Sequence, residues 1–266
     1  MTSHEVVAEL VADLGAEHEE LLRALAAIDE PTWHSATPAE GWTIRDQVCH
    51  LAFFDEVAAT SVADAEKFVR FRDGIADLQS YVDAVGARYA ERSGAELLAW
   101  WAEENARLRD AALLADPDVR VPWFGPDMSL ASKVTARIME TWAHGQDVVD
   151  ALGVVRPPSG RLKHIARLGV LAFPNSFSSH HLDVPDQPVA VSLISPEGTD
   201  TWTWGSADAP NRVEGPAEDF CLVVTQRRHV DDTALVVTGP VAERWMTVAQ
   251  AFAGPAGSGR KPGQFS

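Results

Sequence analysis

The chain has 266 residues, of which 46% are hydrophobic, and its formal net charge at pH 7 is −17. An acidic surface of this strength repels phosphate groups, which argues against nucleic acids and anionic membranes as main partners. The two cysteines, Cys49 and Cys221, are too few for a disulfide framework and indicate reduced thiols. The first residues lack a signal-peptide pattern, and no apolar run approaches the ~20 residues of a membrane span. We therefore expect a cytoplasmic protein with a well-packed core.

Four long segments of the first 155 residues carry apolar residues at helical spacing. They cover about residues 4–28, 43–71, 93–114 and 129–153. Two of them begin with residues typical of helix caps, since Thr43 is followed by Asp46, and Ser93 by Glu96, three residues later. Shorter helices are expected over about 76–90 and about 160–173. Four long helices joined by moderate loops predict a helix bundle.

The pattern changes near residue 184, where short β-type runs separated by turn residues replace the helical spacing. VAVSLIS and TWTWG predict a hairpin, NRVEG and TALVVTG predict further strands, and PAEDFCLVVTQRR and PVAERWMTVAQAFA predict helices. We therefore expect a mixed α + α/β chain in which a helical bundle (1–180) precedes a small α+β domain (184–252). A Gly/Pro/Ser-rich and flexible tail (253–266) is expected to follow. No strand is expected within the first 150 residues.

Three side chains form a candidate metal site. Glu140 and His144 are four residues apart, which places both on one face of the fourth helix. His50 lies in the second helix among apolar residues, and a bundle can bring it towards that pair. Carboxylate oxygens and imidazole nitrogens are ligands for zinc and related divalent ions. Spacing alone leaves another interpretation open, in which the pair is an ordinary helix-surface contact and His50 is a core histidine.

Two segments carry a resemblance to a known family. WTIRDQVCHLAFFDE and RIMETWAHGQDVVDALG resemble the two metal-binding motifs of the DinB-like superfamily, and especially of mycothiol-dependent maleylpyruvate isomerase N-terminal domains. The resemblance covers roughly residues 5–155 and implies a DinB-like bundle. It also implies one divalent metal ion, expected to be zinc, with His50, Glu140 and His144 as its ligands.

The C-terminal segment resembles sterol-carrier-like domains and the small domain of wyosine-forming tRNA-modification proteins. The resemblance lies in TWTWG, NRVEGPAEDFCLVVTQRR and ALVVTGPVAERW. In related thiol-dependent isomerases a functional arginine follows this helix, which makes Arg227 and Arg228 candidate catalytic residues. In the simpler interpretation they are arginines at a helix C-terminus that interact with the helix dipole. The α+β domain is expected to pack near the metal cleft and to lend one of them to an anionic thiol or substrate.

Other candidates are less specific. Asp147 comes one helical turn after His144, where it can orient a ligand or remain an exposed charge. Trp42, Trp123, Phe124 and Trp142 are candidates for the walls of a ligand-binding pocket, although large aromatic residues more often belong to the core. The loop DVRVPWFGPDMS is expected to cover the bundle end at which the metal cleft opens.

Three protein ligands leave an open metal position, as in catalytic zinc sites. A metal ion there acidifies a bound water or thiol. The resemblance implies mycothiol as a cosubstrate, and so a transferase or isomerase that uses a small-molecule thiol and an electrophilic substrate. A non-catalytic protein that binds metal and a small ligand is the alternative. A tRNA-modification accessory protein is less consistent with the acidic charge. The chain is expected to be a monomer or homodimer.

Overall fold

The computed structural model describes residues 1–265, and the chain forms two compact units, Met1–Arg156 and Pro157–Ser266. No helix among the described residues combines the length and apolarity that a bilayer crossing requires. The limits predicted for the two domains and for the flexible tail stay predictions, and Ser266 lies outside the described residues.

The first unit is built mainly from helices. They are α1 (Ser3–Leu25), α2 (Ile44–Ala63), α3 (Ala65–Asp73), α4 (Leu78–Asp83), α5 (Val85–Arg88), α6 (Gly94–Leu114) and α7 (Leu130–Leu152). The four long helices pack together, with α2 against α6 and α7 and with α1 against the same two helices. Their buried faces are lined by aliphatic and aromatic side chains, so the bundle expected from the helical spacing is present.

Local capping fixes where the long helices begin and end. The side chain of Thr43 accepts a hydrogen bond from the amide of Asp46, whose carboxylate accepts one from the amide of Thr43. Ser93 and Glu96 form the same reciprocal arrangement at the start of α6. Gly153 follows α7 in the left-handed conformation, with φ at 63°, which favours glycine. Each such cap stabilises the helix by about 1 kcal/mol.

Two details differ from the sequence prediction. The second helix does not continue to about Phe71 but ends at Ala63, because Asp64 accepts a hydrogen bond from the amide of Lys67 and starts α3 as a new helix. The expectation of no strand in the first 150 residues was also wrong. Two short strands, β1 (Arg120–Val121) and β2 (Met128–Ser129), pair antiparallel and close the loop before α7.

A buried polar cluster ties three helices of the bundle together. Asp55 of α2 accepts hydrogen bonds from Arg137 Nε of α7 at 2.9 Å and from Trp101 Nε1 and Asn105 Nδ2 of α6, both at 3.0 Å. Arg137 also donates to the carbonyl of Leu51 at 3.3 Å. Because these contacts are directional, they fix the register of α7 against α2.

The second unit combines a four-stranded sheet with helices. Its strands are β3 (Val189–Ile194), β4 (Thr201–Trp204), β5 (Asn211–Pro216) and β6 (Val236–Thr238), in the order β4-β3-β5-β6. Its helices are α8 (Leu162–Leu171), α9 (Phe173–Ser179), α10 (Ala217–Val224) and α11 (Pro240–Val248). The predicted hairpin is present as the antiparallel pair β3–β4, while β3–β5 is parallel and β5–β6 antiparallel. Helices α10 and α11 occupy the segments predicted to be helical.

The C-terminal segment packs around one buried glutamine. Gln250 donates from Nε2 to the carbonyl of Pro255 at 3.1 Å, and its Oε1 accepts from the amide of Gly257 at 2.9 Å. The amide of Gly263 donates to Asp232 Oδ1 at 2.6 Å. Hydrogen bonds therefore connect the segment after α11 within itself and to the rest of the second unit.

Candidate metal centre

The bundle brings the three predicted ligands together. His50 lies in the first half of α2, and Glu140 and His144 lie one turn apart on α7. Oε2 of Glu140 is 3.5 Å from Nε2 of His50 and 3.2 Å from Nε2 of His144. Ligand atoms of all three residues lie within 4.8 Å of one another. The side chains of His50, Glu140 and His144 are 12%, 23% and 14% exposed, so the cluster is largely buried but keeps some contact with solvent.

The electrostatics keep this cluster in a form suited to metal binding. Burial and the neighbouring His144 lower the pKa of His50 from 6.5 to about 4. Burial alone raises the pKa of Glu140, but the close contacts of its carboxylate with the His144 and His50 imidazoles outweigh burial and hold that pKa well below its usual range. Near neutral pH the cluster therefore contains a carboxylate and a neutral His50 imidazole, which are the protonation states that bind metals.

The donor set also fits a divalent ion in its geometry. Ligand atoms at about 2.0–2.2 Å from tetrahedral zinc are roughly 3.4 Å apart. The separations of 3.2 and 3.5 Å around Glu140 Oε2 are close to that value. Two imidazole nitrogens and one carboxylate oxygen form a donor set that zinc and other first-row divalent ions accept.

The nitrogens that face away from the cluster differ between the two histidines. Nδ1 of His144 lies 2.5 Å from Oε1 of Gln47. Nδ1 of His50 is buried and has no hydrogen-bond partner among residues 1–265. Only His144 therefore has a partner of the kind that usually orients a metal-binding histidine.

Aromatic rings surround the two histidines. The ring of Trp42 lies 5.8 Å from that of His144, with 22° between their planes, and 5.3 Å from that of His50. Phe54 lies 4.5 Å from His50 on α2. These rings exclude water from part of the cluster, which strengthens electrostatic interactions inside it.

A cavity of about 80 Å³ adjoins the cluster. It is lined by Gly41, Trp42, Asp46, His50, Val82, Asp83, Val85 and Gly86. Its walls thus come from the loop before α2, from α2 itself, and from α4 and α5. The loop DVRVPWFGPDMS, which was expected to cover the cleft, is not among the residues that line this cavity.

The family of the chain follows from comparison with known proteins. A family model for the mycothiol maleylpyruvate isomerase N-terminal domain matches residues 14–149, half of the chain and all three candidate ligands. The chain belongs to this family. A second family model, for wyosine base formation, matches residues 187–238 of the chain.

Two relatives of this family member are nearly as long as it is. They are uncharacterized proteins from two strains of Mycobacterium tuberculosis, and each is 48% identical to this chain over 252 residues. The matched region covers 94% of this chain and 97% of each relative. Crystal structures of a mycothiol-dependent maleylpyruvate isomerase and of its histidine-to-alanine mutant are also similar. Their TM-scores are 0.60 and 0.61 at 16% and 15% identity, and the match covers 86% of this chain and 92% of theirs. At this identity they confirm the fold class alone.

Trp42, the first of the four predicted pocket aromatics, lines the cavity beside His50, and the other three lie in different surroundings. Trp123 stacks on Phe68 at 5.6 Å and lies 6.3 Å from Phe54, so it is one ring removed from His50. Phe124 packs beside Trp123 at 5.0 Å. A role for either in ligand binding stays a prediction.

Trp142, the fourth predicted aromatic, is buried on α7 in this family member. The guanidinium of Arg156 is 5.7 Å from its ring and donates to its carbonyl at 2.9 Å. Asp147 is buried further along the same helix, and a ligand-orienting role for it also stays a prediction.

Arg227 and Arg228 follow α10 rather than ending it. The helix was expected to include them but stops at Val224, and Gln226 has a positive φ of 60°. Arg227 donates to the carbonyl of Thr225 at 2.6 Å, and the Arg228 guanidinium lies 3.8 Å from the Phe265 ring. Their proposed part in catalysis stays a prediction.

Sequence reasoning missed Gln47, which touches the candidate ligand His144 directly. A signal was present, because Gln47 precedes His50 by three residues and so shares its helix face. A polar residue at that position, in an otherwise apolar face, indicates a partner inside the bundle.

Proposed function

We propose that this protein holds one divalent metal ion, zinc in the first instance, through His50, Glu140 and His144. We further propose that it acts as a mycothiol-dependent transferase or isomerase. The observation that carries the proposal is one carboxylate oxygen lying between two imidazole nitrogens on facing helices, at 3.5 and 3.2 Å. Membership of the mycothiol maleylpyruvate isomerase N-terminal domain family supports the choice of thiol and reaction class.

The residues of this chain have separate parts in such a reaction. A bound divalent ion with an open position would supply acidification of a coordinated thiol near neutral pH. His50, Glu140 and His144 would hold the ion, while Trp42 and Phe54 limit the access of water to it. The small adjoining cavity suits a compact electrophilic group rather than a large one.

The cysteines of the chain support an external thiol. Burial raises the pKa of Cys49 to about 11, and burial together with Glu218 raises that of Cys221 well above its usual value. A thiol with so high a pKa is a poor nucleophile at neutral pH, because the thiolate is the reactive form. The nucleophile of a thiol-dependent reaction would therefore come from a cosubstrate.

Metal content and thiol turnover test the proposal together. Purified wild-type protein should carry close to one divalent ion per chain, and His144→Ala should lose most of it. The exposed His34 provides a matched control, since His34→Ala removes an imidazole that is outside the cluster. The zinc-loaded wild type should accelerate the mycothiol-dependent isomerisation of maleylpyruvate, or the transfer of mycothiol to a chromogenic aryl halide with release of halide. Full metal occupancy in His144→Ala would contradict the ligand assignment.

A non-catalytic role in ligand binding is the second candidate, and one cavity favours it. The second unit contains a cavity of about 320 Å³, within the size range of small-molecule sites. It is lined by Phe177, Leu182, Asp183, Pro185, Pro240, Val241 and Arg244. Metal binding without turnover, together with saturable binding of a small apolar probe that Val241→Trp abolishes, would favour this role. A tRNA-related role predicts a salt-dependent RNA mobility shift, which the net charge of −17 disfavours.

A further inference from the structure

Three hydrogen bonds connect the loop before α2 to the candidate ligand His144. The hydroxyl of Thr37 lies 2.8 Å from the carbonyl oxygen of Trp42. The side-chain amide of Gln47 lies 3.0 Å from the Thr37 hydroxyl oxygen, and its other end lies 2.5 Å from Nδ1 of His144. Gln47 is fully buried and Thr37 nearly so, which keeps water from competing for these groups.

The direction of every bond in this series is set at its Trp42 end. A backbone carbonyl only accepts hydrogen bonds, so the single hydroxyl proton of Thr37 is donated to Trp42. The Thr37 oxygen is then left to accept, and the atom of Gln47 that faces it must be the donor Nε2. The amide oxygen of Gln47 therefore faces His144, and Nδ1 of His144 must carry a proton to donate to it.

We propose that Thr37 and Gln47 are positioning residues that hold His144 in its Nδ1-protonated form, so that Nε2 presents its lone pair to a divalent cation beside Glu140. The cation in this inference rests on the proposed function, whereas the tautomer of His144 is argued from the hydrogen bonds alone. Nε2 is the nitrogen that lies 3.2 Å from Glu140 Oε2. Two lone pairs that face each other at this distance repel, and a cation between them removes the repulsion.

The same residues hold the aromatic ring that covers His144. The amide of Thr37 also donates to the Trp42 carbonyl at 2.8 Å, and Ala36 pairs with Thr43 as an isolated β-bridge. The Trp42 ring, stacked on His144, is thus carried by a loop whose closure depends on Thr37. His144 is consequently fixed at its edge through Gln47 and at its face through Trp42.

The tautomer of His144 in metal-free wild-type protein is the first test. Long-range ¹H–¹⁵N correlation spectra recorded at alkaline pH distinguish protonated from bare ring nitrogens. We expect the His144 signals to show a protonated Nδ1 and a bare Nε2. A protonated Nε2 would overturn the proposal, and no substitution that could unfold the chain is involved.

Substitutions then test whether the tautomer matters for metal binding. Gln47→Leu and Thr37→Val should each weaken zinc affinity, by about 10- to 100-fold for Gln47→Leu, as loss of a ligand's hydrogen-bond partner usually does. Thr37→Ser keeps the hydroxyl and should restore both the affinity and the tautomer. Gln146→Leu is a matched control, because Gln146 is a buried glutamine that donates to Asp150 at 2.9 Å instead. Competition with a chromophoric zinc chelator gives the affinities.

The outcomes separate this inference from the proposed function. If wild-type protein shows the expected tautomer but binds no divalent ion, the proposed function fails and the tautomer assignment stands. If wild-type protein binds zinc but Gln47→Leu binds it equally well, the positioning role is wrong and the metal site stands. A loss of affinity in Gln146→Leu as large as that in Gln47→Leu would mark the effect as general destabilisation and would overturn the specific role of Gln47.

Discussion

Arg137 donates a hydrogen bond from Nε to Oδ1 of Asp55 at 2.9 Å, and both side chains are almost wholly buried. Arg137 lies three residues before Glu140 on α7, and Asp55 lies five residues after His50 on α2. The ion pair therefore sits close to the ligands along both helices. It sets the register in which the carboxylate of Glu140 meets the imidazole of His50.

Removal of one partner of this ion pair should be costly. Asp55→Ala leaves the buried guanidinium of Arg137 without its carboxylate, and also leaves Trp101 and Asn105 without their acceptor. We expect the free energy of unfolding to fall by about 3–5 kcal/mol, measured by urea denaturation. The double variant Asp55→Leu/Arg137→Leu should lose less stability than Asp55→Leu and Arg137→Leu lose in sum, because the double variant buries no unpaired charge. Additive losses would contradict this account of the pair.

Zinc should stabilise the folded protein through the proposed ligands. At a free zinc concentration 100 times its Kd, binding to the folded state alone adds about 2.7 kcal/mol to the free energy of unfolding. Glu140→Gln should lose most of this gain, because it replaces the anionic ligand by a neutral amide. His34→Ala should keep the gain. Urea unfolding with and without zinc measures both, and an equal gain in Glu140→Gln would exclude Glu140 as a ligand.

The parts of the fold that were predictable depend on local interactions. The starts of α2 and α6 follow from Thr43, Asp46, Ser93 and Glu96, whose capping bonds join residues three apart. The break at Asp64 was missed because the apolar spacing continues across it. There the Asp64 side chain competes with the helix for a backbone amide, and the spacing of apolar residues does not indicate that competition.

The candidate site divides in the same way. The spacing of Glu140 and His144 is a property of one helix and was readable from it. The approach of His50 depends on how two helices pack, and only the family resemblance supplied it. The position of Gln47 on the His50 face indicates a partner inside the bundle, but the contact with His144 joins residues 97 positions apart, and no pattern within either helix identifies that partner. Packing likewise determines that, of the aromatic residues predicted to line a pocket, Trp42 lines the cavity beside His50 and Trp123 does not.

Lys133 should destabilise the bundle at neutral pH. Its side chain is only 1% exposed, and its Nζ has no hydrogen-bond partner among the described residues. Burial, with a smaller effect from Arg137, lowers its pKa from 10.5 to about 6. The unfolded chain therefore binds more protons than the folded one between pH 6 and 10.5, and wild-type stability should rise with pH in that range.

Lys133→Met keeps the length of the side chain and removes its amine. We expect the free energy of unfolding at pH 7 to increase by roughly 1–3 kcal/mol. The gain stays below the full ionisation penalty, because Lys133→Met also removes the contact of Nζ with the Trp123 ring, 3.1 Å from its centroid. The variant should also be less sensitive to pH between 7 and 10. Lys67→Met, at an exposed position, is the control and should change little. A loss of stability in Lys133→Met would show that the amine has a stabilising partner.

His18 should make the metal-free protein sensitive to acid. It is 3% exposed, lies edge-on to Trp101 at 4.3 Å, and its Nε2 has no hydrogen-bond partner among the described residues. Burial, only partly opposed by the charge of Asp55, lowers its pKa from 6.5 to about 4. The unfolded chain takes up this proton below pH 6.5, whereas the folded chain does not until about pH 4. The stability from the neutral histidine is therefore complete above pH 6.5 and is lost as the pH falls towards 4.

His18→Phe should remove this part of the pH dependence. Because the pKa of His18 is lowered from 6.5 to about 4, the wild type should lose about 3 kcal/mol of its free energy of unfolding between pH 6.5 and 4. Phenylalanine keeps the ring contact with Trp101 and has no proton to take up, so urea unfolding of the metal-free variant should show a shallower decline over this range. A smaller decline should persist, because the pKa of His50 is lowered to about 4 as well. His34→Phe changes an exposed histidine and should keep the wild-type slope. If His18→Phe also keeps that slope, His18 is already protonated in the folded protein, and the buried neutral state assigned to it is wrong.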